Sequence, residues 1–402
     1  MSAPFPRIWS YELNRGDGRP FVPTLTGTLD MDEVRRRARF PLQTLEVVPW
    51  ANAAGLARPD VPFEVRRANP QTILLSYFQT GEWWLAPSFV PQAGDFSLYA
   101  EFHNCMKKHD AWLYNLDGTV HAYANVNWGN RPFALEAAEI FARGQRTHLW
   151  NGQFFDSYSS DVAWVGQGPT NLPFDLKRAG FATGAEMDKA RRVNMGDVIA
   201  HVREAGGPGF LIVVNGTTPP DVQALWKIDG DLREGFPGSL TPFAKGLAFV
   251  QASWPTYRLL KAECSSALTS PADCQLARFT LGTACLGDGW AYIGQDRAAC
   301  AFYDEYSVDA QHFPYNVADY DGKFTGWLGQ PGDTRMVNGC YLRWFDHGAV
   351  VVNPNGVRVK VPLGMTMRHI LGKKAPTVNT GQDTSSVTLE PRDARFLIRL
   401  PK

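Results

Sequence analysis

The chain has no apolar run long enough to cross a membrane, and it carries no excess of charge. No stretch reaches the ~18 apolar residues of a spanning helix. Lys plus Arg and Asp plus Glu each number 40, so the formal net charge is zero. Sequence-independent binding to nucleic acid needs a basic surface, which this balance does not supply. We therefore expect neither a membrane nor nucleic acid as a partner.

The first residues also lack the features of a secretion signal. The start Met-Ser-Ala-Pro-Phe-Pro-Arg-Ile-Trp has neither the charged nor the apolar region of a signal peptide. Three expectations stay open: the chain works where it is made, it leaves by another route, or a signal was removed. The cellular location is therefore unknown, and extracellular action is compatible with the sequence.

Several catalytic motifs are absent. The chain has no Gly-x-Ser-x-Gly elbow, no His-Glu-x-x-His and no Gly-x-Gly-x-x-Gly, which argues against a serine hydrolase, a zinc protease and a dinucleotide enzyme. Its six cysteines include no Cys-x-x-Cys pair of the zinc-site type. His103 and His109 are near each other in sequence, but exposed or capping roles explain them better than metal binding. We predict no metal and no cofactor.

The cysteines are ordinary in number for buried free thiols. Cys264 and Cys274 flank a loop that a disulfide could close. We expect free thiols, with this pair the first candidate if any bridge exists.

What the chain has in abundance is apolar and aromatic residues. Hydrophobic residues make up 44% of its 402 positions, with 13 Trp, 13 Tyr and 24 Phe. A barrel of ~250 residues plus an appended module would account for this length. Aromatic rings line carbohydrate clefts and also fill large cores, so they are compatible with both.

Strand-like and helix-like segments alternate through most of the chain. Alternation at this spacing predicts parallel βαβ units of the α/β class. Eight strands favour a closed (β/α)8 TIM barrel, with an open doubly wound sheet as the alternative. The predicted strands are 8–13, 72–78, 111–115, 148–156, 210–216, 231–236, 257–262 and 290–293, and the predicted helices are 134–144, 187–205, 242–253 and 272–286.

The last part of the chain has a different pattern. Residues 340–345 and 349–353 flank the turn Asp346-His347-Gly348 and read as a hairpin. Strand-like runs follow at 357–363 and 385–400, with a helix pattern only around 367–371. This predicts a small antiparallel β module packed on the barrel, with domains at 1–325 and 326–402.

Two carboxylates stand at the ends of predicted barrel strands. Asp156 ends the apolar run that contains Phe154 and Phe155, and Glu234 lies in Leu232-Arg233-Glu234-Gly235-Phe236. The carboxyl ends of barrel strands meet at one face, which carries the active site. Two facing carboxylic acids form the minimal apparatus for cleaving a glycosidic bond. Taken singly, Asp156 could cap a helix and Glu234 could be solvated; together they favour a site.

Other polar and aromatic side chains at predicted strand ends are candidates for substrate binding. They are Glu82, Trp83, Asn115, Asp117, Trp150, Asn215, Asp304 and Glu305. For Asp304 and Glu305 a structural role, tying down a loop through an Arg such as Arg343, is an equal alternative. The irregular segment 157–185 directly follows Asp156 and is either a substrate-covering loop or an insertion packed on the outer helices.

The ordered motifs of the chain resemble those of a known family. They are Phe154-Phe155-Asp156, Leu232-Arg233-Glu234-Gly235-Phe236, Phe302-Tyr303-Asp304-Glu305-Tyr306, Gly326-Trp327-Leu328-Gly329-Gln330-Pro331, Leu342-Arg343-Trp344-Phe345-Asp346-His347-Gly348 and Val352-Asn353-Pro354. In this series the chain resembles the glycosyl hydrolase-like family fifteen of TIM-barrel proteins, over roughly residues 70–360. The resemblance implies a barrel with a fourth-strand aspartate, here Asp156, and a sixth-strand glutamate, here Glu234.

The function predicted from these observations is that of a glycosidase acting on a poly- or oligosaccharide. Asp156 is expected as nucleophile or base, and Glu234, beside Phe236, as general acid; the roles could be exchanged. Retention or inversion depends on the separation of the two carboxylates. The alternative is a non-catalytic carbohydrate-binding or structural barrel, for example in a virion or an extracellular assembly. Nothing in the sequence indicates an oligomeric state.

Overall fold

The structure, a computed structural model, describes eleven stretches of the chain. They are residues 3–11, 31–46, 60–81, 98–121, 126–146, 149–163, 173–216, 219–264, 270–294, 302–310 and 316–400. Within them, eight strands form one parallel sheet and six later strands form a second, antiparallel sheet. This confirms the predicted (β/α)8 barrel of the α/β class with a C-terminal β module.

The elements alternate along the barrel as a TIM barrel requires. The barrel strands are β1 Trp9–Tyr11, β2 Leu42–Glu46, β3 Ile73–Gln79, β4 Gly152–Asp156, β5 Leu211–Val214, β6 Gly230–Arg233, β7 Tyr257–Ala262 and β8 Gly289–Ile293. The helices are α1 Met31–Ala38, α2 Asp60–Ala68, α3 Leu98–His109, α4 Arg131–Gln145, α5 Gly184–Gly206, α6 Pro220–Trp226, α7 Phe243–Gln251 and α8 Pro271–Cys285. The strands are neighbours in sequence order, and a parallel bridge between Ile8 and Ala291 brings β1 to β8.

One predicted barrel strand is wrong and another was missed. Residues 111–115 do not join the barrel, because Trp112 and Tyr114 make only isolated antiparallel bridges and pack with the outer helices. The second barrel strand is β2, which lies in a stretch interpreted from sequence as a connection. Its Gln43 and Thr44 are fully buried. These polar residues interrupt the apolar pattern by which a buried strand is recognised.

Alternation along each strand decides which side chains enter the barrel. In β4, Phe154 packs inside against Tyr11 and Tyr77, whereas Phe155 packs outside against Phe141 of α4. Successive side chains of a strand point to opposite faces. Asp156, two residues beyond Phe154, therefore points inward at the carboxyl end of the barrel.

The second sheet packs on the barrel through α8. Its strands are β9 Pro331–Val337, β10 Cys340–Phe345, β11 Gly348–Asn353, β12 Val359–His369, β13 Asp383–Leu389 and β14 Asp393–Arg399, in the order β13-β12-β14-β11-β10-β9. A Cβ on Gly282 of α8 would lie 2.7 Å from the Cβ of Ala394, so this helix needs glycine to approach the sheet. The Arg278 guanidinium of α8 binds Asp393 at 2.9 Å in a buried ion pair.

The predicted hairpin of the tail is confirmed by β10 and β11, which pair antiparallel. The helix predicted around 367–371 is wrong, because Met367–His369 end β12 and pair with β14.

Cys264 and Cys274 are buried thiols that are not joined by a disulfide. Cys300 lies outside the described residues. None of the helices in the described stretches combines the length and apolar character needed to cross a bilayer.

Candidate active site

The Asp156 carboxylate is buried at the carboxyl end of β4 and accepts hydrogen bonds from five groups. Three donors reach Oδ2 and two reach Oδ1. They are Tyr11 Oη at 2.9 Å, Tyr77 Oη at 2.5 Å and Gln79 Nε2 at 3.3 Å, then Asn215 Nδ2 at 2.7 Å and Ser157 N at 2.9 Å. The carboxylate is therefore fixed in orientation by side chains from β1, β3 and the end of β5.

Burial and charge act together on this group. Removal from water raises the pKa of Asp156, and the nearby negative charge of Glu234 raises it further. Hydrogen bonds from Tyr77, Tyr11 and Asn215 oppose these effects without cancelling them, so the pKa stays above its ordinary value. Glu234 is thus the nearby charge that acts against ionisation of Asp156, second in effect to burial.

Glu234 follows β6 and enters the barrel by the same alternation. Leu232 lies inside the core, whereas Asp231 and Arg233 form an ion pair on the outer side, where Arg233 stacks on Phe249 of α7. Glu234, two residues beyond Leu232, therefore points to the interior. Its side chain is 34% exposed, so it is open to solvent where Asp156 is not.

The buried Lys261 contacts Glu234 directly and Asp156 indirectly, through Tyr11. Lys261 of β7 is 1% exposed, and its ammonium lies 2.9 Å from Glu234 Oε1 and 3.0 Å from Glu263 Oε1. The same ammonium stands over the ring of Tyr11, 4.9 Å from its centroid. Because Tyr11 donates to Asp156, one contact path runs from Glu234 through Lys261 and Tyr11 to Asp156.

Of the predicted substrate-binding residues, the structure brings Asn215 to this site and places others elsewhere. Asn115 and Asp117 belong to a turn in which Asn115 Nδ2 donates to Thr119 Oγ1 at 3.0 Å. Asp117 accepts from Thr119 N and Oγ1, which lowers its pKa. Residues 111–115 are not a barrel strand. Asn115 instead forms an antiparallel bridge with Phe174, so the turn lies against that residue.

Trp150 is also displaced from the predicted position. It precedes β4, so it lies at the amino end of the strand, opposite Asp156. There it is half-buried and packs against two apolar clusters of the outer layer. Glu82 and Trp83 lie outside the described residues.

Asp304 and Glu305 form a separate buried cluster between the barrel and the β module. Asp304 accepts from Tyr320, from Asn379 Nδ2 at 3.0 Å and from the backbone N–H groups of residues 373–375. Asn379 also donates to Glu305 Oε1 at 2.8 Å. The pair thus ties down the connection between β12 and β13. Its partner is not Arg343, which instead donates to Cys285 O and Gly287 O.

The described parts of segment 157–185 pack on the outside of the barrel. Phe174 joins a cluster with Leu113, Val162 and Met187 of α5. Arg178 stacks on the ring of Tyr114. These contacts agree with an insertion held by the outer layer. Trp164 and its neighbours, residues 164–172, lie outside the described residues.

Sequence reasoning missed Tyr11, Tyr77 and Lys261. Tyr11 and Tyr77 resemble ordinary core aromatics, and only their distance to Asp156 distinguishes them. Lys261 could have been found from the sequence, because it is a charged residue near the carboxyl end of the apolar strand Tyr257–Ala262. A lysine buried there requires a partner. In the described part of the chain, the group of three metal-ligand side chains within reach of one ion lies on α3 and α4 and includes neither Asp156 nor Glu234.

The chain is similar to solved structures in fold, but no similar sequence was found among family models or curated proteins. No family model matches the chain, and no curated protein matches it. Among solved structures, an alpha-amylase from Malbranchea cinnamomea is 11% identical with a TM-score of 0.48, over 98% of this chain and 96% of its own.

Two other solved structures are similar to this chain at comparably low sequence identity. An alpha-amylase from Geobacillus thermoleovorans complexed with acarbose is 9% identical with a TM-score of 0.49, over 99% and 100% of the two chains. A cyclic alpha-maltosyl-(1-->6)-maltose hydrolase from Arthrobacter globiformis is 12% identical with a TM-score of 0.47, over 99% and 100%. These neighbours are glycoside hydrolases, but identities and TM-scores this low carry no argument about the residues or activity of this chain. The fold assignment rests on its own strand order.

Proposed function

We propose that this protein is a glycoside hydrolase that cleaves an oligo- or polysaccharide with Asp156 and Glu234. The observation that carries the proposal is a fixed, buried carboxylate at the mouth of a (β/α)8 barrel, electrostatically coupled to a second, solvent-open carboxylate. Paired carboxylates of unequal environment are the apparatus of glycosidic cleavage.

Asp156 suits the role of nucleophile or base. Its five donors occupy both oxygens, which favours an ionised acceptor over a group that presents a proton. Its raised pKa makes the carboxylate more basic than an ordinary aspartate. Tyr11, Tyr77 and Asn215 hold it in one orientation, which lowers the cost of reaching a reactive geometry.

Glu234 suits the role of general acid. Lys261 binds Oε1, whereas Oε2 accepts no hydrogen bond from the described part of the chain, which leaves this oxygen open to a leaving group at the barrel mouth. To act as the acid, Glu234 must first take up a proton, and transfer of that proton to the leaving oxygen returns Glu234 to its ionised form beside a buried ammonium. Lys261 thus stabilises the product of the proton transfer, and that stabilisation grows as the charge develops.

The test is turnover on a glycan panel, read as new reducing ends. Asp156→Asn and Glu234→Gln should each lower turnover about a thousandfold or more on any glycan that the wild type cleaves, with unchanged folding. Asp117→Asn is the matched control, because this exposed carboxylate is bound to Thr119 within its own turn. Near-normal turnover in both site variants would refute the assignment. Binding without cleavage across the panel would favour the non-catalytic alternative.

We also propose that the chain is a divergent relative of glycosyl hydrolase-like family fifteen and that it divides at residues 1–325 and 326–402. The ordered sequence motifs support the first proposal. The start of the second sheet at Pro331 supports the second. The contact of α8 with both sheets implies that the two units pack as neighbours and do not behave as free modules.

A further inference from the structure

Three side chains of metal-ligand type converge on the outer face of the helix pair α3 and α4. Cys105 and His109 lie four residues apart on α3, hence on one face of the helix. Glu136 approaches them from α4. One ligand atom from each of the three lies within 4.8 Å of the others. We call these residues the α3–α4 cluster.

The two helices hold the cluster in a fixed geometry. Phe102 of α3 packs on Phe133 and Phe141 of α4, with ring centroids 5.5 Å apart in both pairs. The N-cap residue of α4, Asn130, donates to the carbonyl oxygen of His109 at 3.0 Å. The backbone positions of all three ligands are therefore set by the core and not by loops. A site carried by rigid elements loses little freedom on binding an ion.

We propose that the α3–α4 cluster binds a divalent ion of the zinc type through Cys105 Sγ, a ring nitrogen of His109 and a carboxylate oxygen of Glu136. Sulfur, nitrogen and oxygen together are ligands that suit zinc, whereas calcium and magnesium prefer oxygen alone. Three protein ligands leave a fourth tetrahedral position for water.

The burial of the cluster fits such a site. Cys105 is 2% exposed, whereas the side chains of His109 and Glu136 are 18% and 37% exposed, which leaves an approach from solvent. His109 Nε2 already lies 2.8 Å from Glu136 Oε2, so only a small opening is needed for both to reach one ion.

Two groups compete with the ion. Lys108 Nζ lies 2.6 Å from Glu136 Oε2, but this side chain is 63% exposed and can move into water. The Cys105 thiol is protonated, because burial and the charge of Glu136 raise its pKa to about 12. Binding therefore exchanges the thiol proton for the ion and releases that proton to solvent.

The experiment is a cobalt titration of the metal-stripped full chain. Co²⁺ bound to a thiolate gives a sulfur-to-metal charge-transfer absorption, and we expect it to saturate at one equivalent in the wild type. Cys105→Ser should abolish the band. His109→Gln should weaken binding about tenfold or more. Lys108→Met should tighten binding, because the competing cation is gone. Zn²⁺ should displace Co²⁺ and remove the band.

His201→Gln is the matched control. His201 pairs with Glu139 at 3.0 Å, the same histidine–glutamate contact without a cysteine, and its loss should leave the titration unchanged. The proposal is overturned if the wild type shows no band, or if the band persists in folded Cys105→Ser. Should that buried substitution prevent folding, the partly exposed His109 decides: equal affinity in His109→Gln and the wild type also overturns the proposal.

Discussion

Two pairs of acids in the described part of the chain differ in what surrounds them. Asp156 and Glu234 follow β4 and β6 at the barrel mouth, where the donors to Asp156 are mostly side chains of the strands. Asp304 and Glu305 lie between the barrel and the β module, where backbone N–H groups of the β12–β13 connection supply three of the donors to Asp304. Glu305 is 2% exposed, whereas the Glu234 side chain is 34% exposed.

The pKa directions of the two aspartates differ, which fits the proposed site role of Asp156 and the structural role of Asp304. Burial alone would raise the pKa of Asp304, but hydrogen bonds from Tyr320, Asn379 and the backbone of the connection hold it below its ordinary value. The pKa of Asp156 stays raised despite its donors. Folding therefore favours the ionised form of Asp304 and disfavours that of Asp156. Burial alone does not distinguish the two acids, whereas a buried acid whose ionised form is disfavoured by folding is a better candidate for a functional group.

The largest expected contrast comes from the same substitution in the two pairs. Asp156→Asn should lower turnover about a thousandfold or more and leave stability equal or higher, because it removes a charge that folding disfavours. Asp304→Asn should lower the free energy of unfolding by about 3 kcal/mol, because it weakens hydrogen bonds to a favoured charge. Turnover per folded molecule should not change. Both quantities are read from urea unfolding and from reducing-end assays.

The proposed difference between the two pairs is refuted if Asp156→Asn changes stability and Asp304→Asn changes turnover. A stability loss in Asp156→Asn with turnover intact would make it a scaffold residue. A turnover loss in folded Asp304→Asn would place the second pair in the site.

A second prediction concerns pH and the buried Glu305. Burial raises the pKa of Glu305 from 4.5 to about 7. Because the pKa of Glu305 is higher in the folded state, the contribution of Glu305 to the free energy of unfolding is fully present below pH 4.5. It is lost as the pH rises to about 7. The shift corresponds to roughly 3 kcal/mol. Glu305→Gln, which keeps an acceptor for Asn379, should therefore gain about this much stability relative to the wild type between pH 4.5 and pH 8.

The measurement is the free energy of unfolding of both proteins across that range. A difference between wild type and Glu305→Gln that does not change with pH would show that Glu305 does not titrate there.

A third prediction tests the bridge between the two site acids. Lys261→Met should lower turnover by ~100-fold, because the charge that stabilises ionised Glu234 after proton transfer is lost. The loss should appear in kcat more than in KM, since the effect belongs to the transition state. Arg233→Met is the control: it removes a cation one residue from Glu234 on the outer side of β6 and should change stability alone. Equal kcat losses in the two variants would mean that Lys261 acts only through folding.

The sequence predicted the architecture and the two central acids better than their surroundings. Strand alternation and turn position sufficed to place Asp156 and Glu234 at the ends of β4 and β6. They did not suffice for Asn115 and Asp117, because the apolar run before them is buried by outer helices and not by the barrel. Nor could they reveal β2, whose buried Gln43 and Thr44 break the apolar pattern.

The partners of Asp156 illustrate why the rest was out of reach. Tyr11 and Tyr77 are separated from it by 145 and 79 residues, so the contacts depend on register across three strands. A one-residue slip in either strand would turn its tyrosine to the other face. Residue type alone therefore does not distinguish these two tyrosines from the many that only fill the core.

The smallest expected effect is a change of pKa at one carboxylate. The charge of Glu234 is one cause of the raised pKa of Asp156, second to burial. Glu234→Gln removes that repulsion and leaves the Lys261 ammonium less compensated, and both changes favour ionised Asp156. Its pKa should therefore fall, as read from the carboxyl ¹³C shift of Asp156 against pH, assigned with Asp156→Asn. Glu263→Gln, which removes another carboxylate partner of Lys261, should lower it less, because Glu234 is the charge that ranks directly after burial in raising the Asp156 pKa. If Glu234→Gln leaves the titration of Asp156 where it was, the two acids do not interact and cannot serve as a coupled acid–base pair.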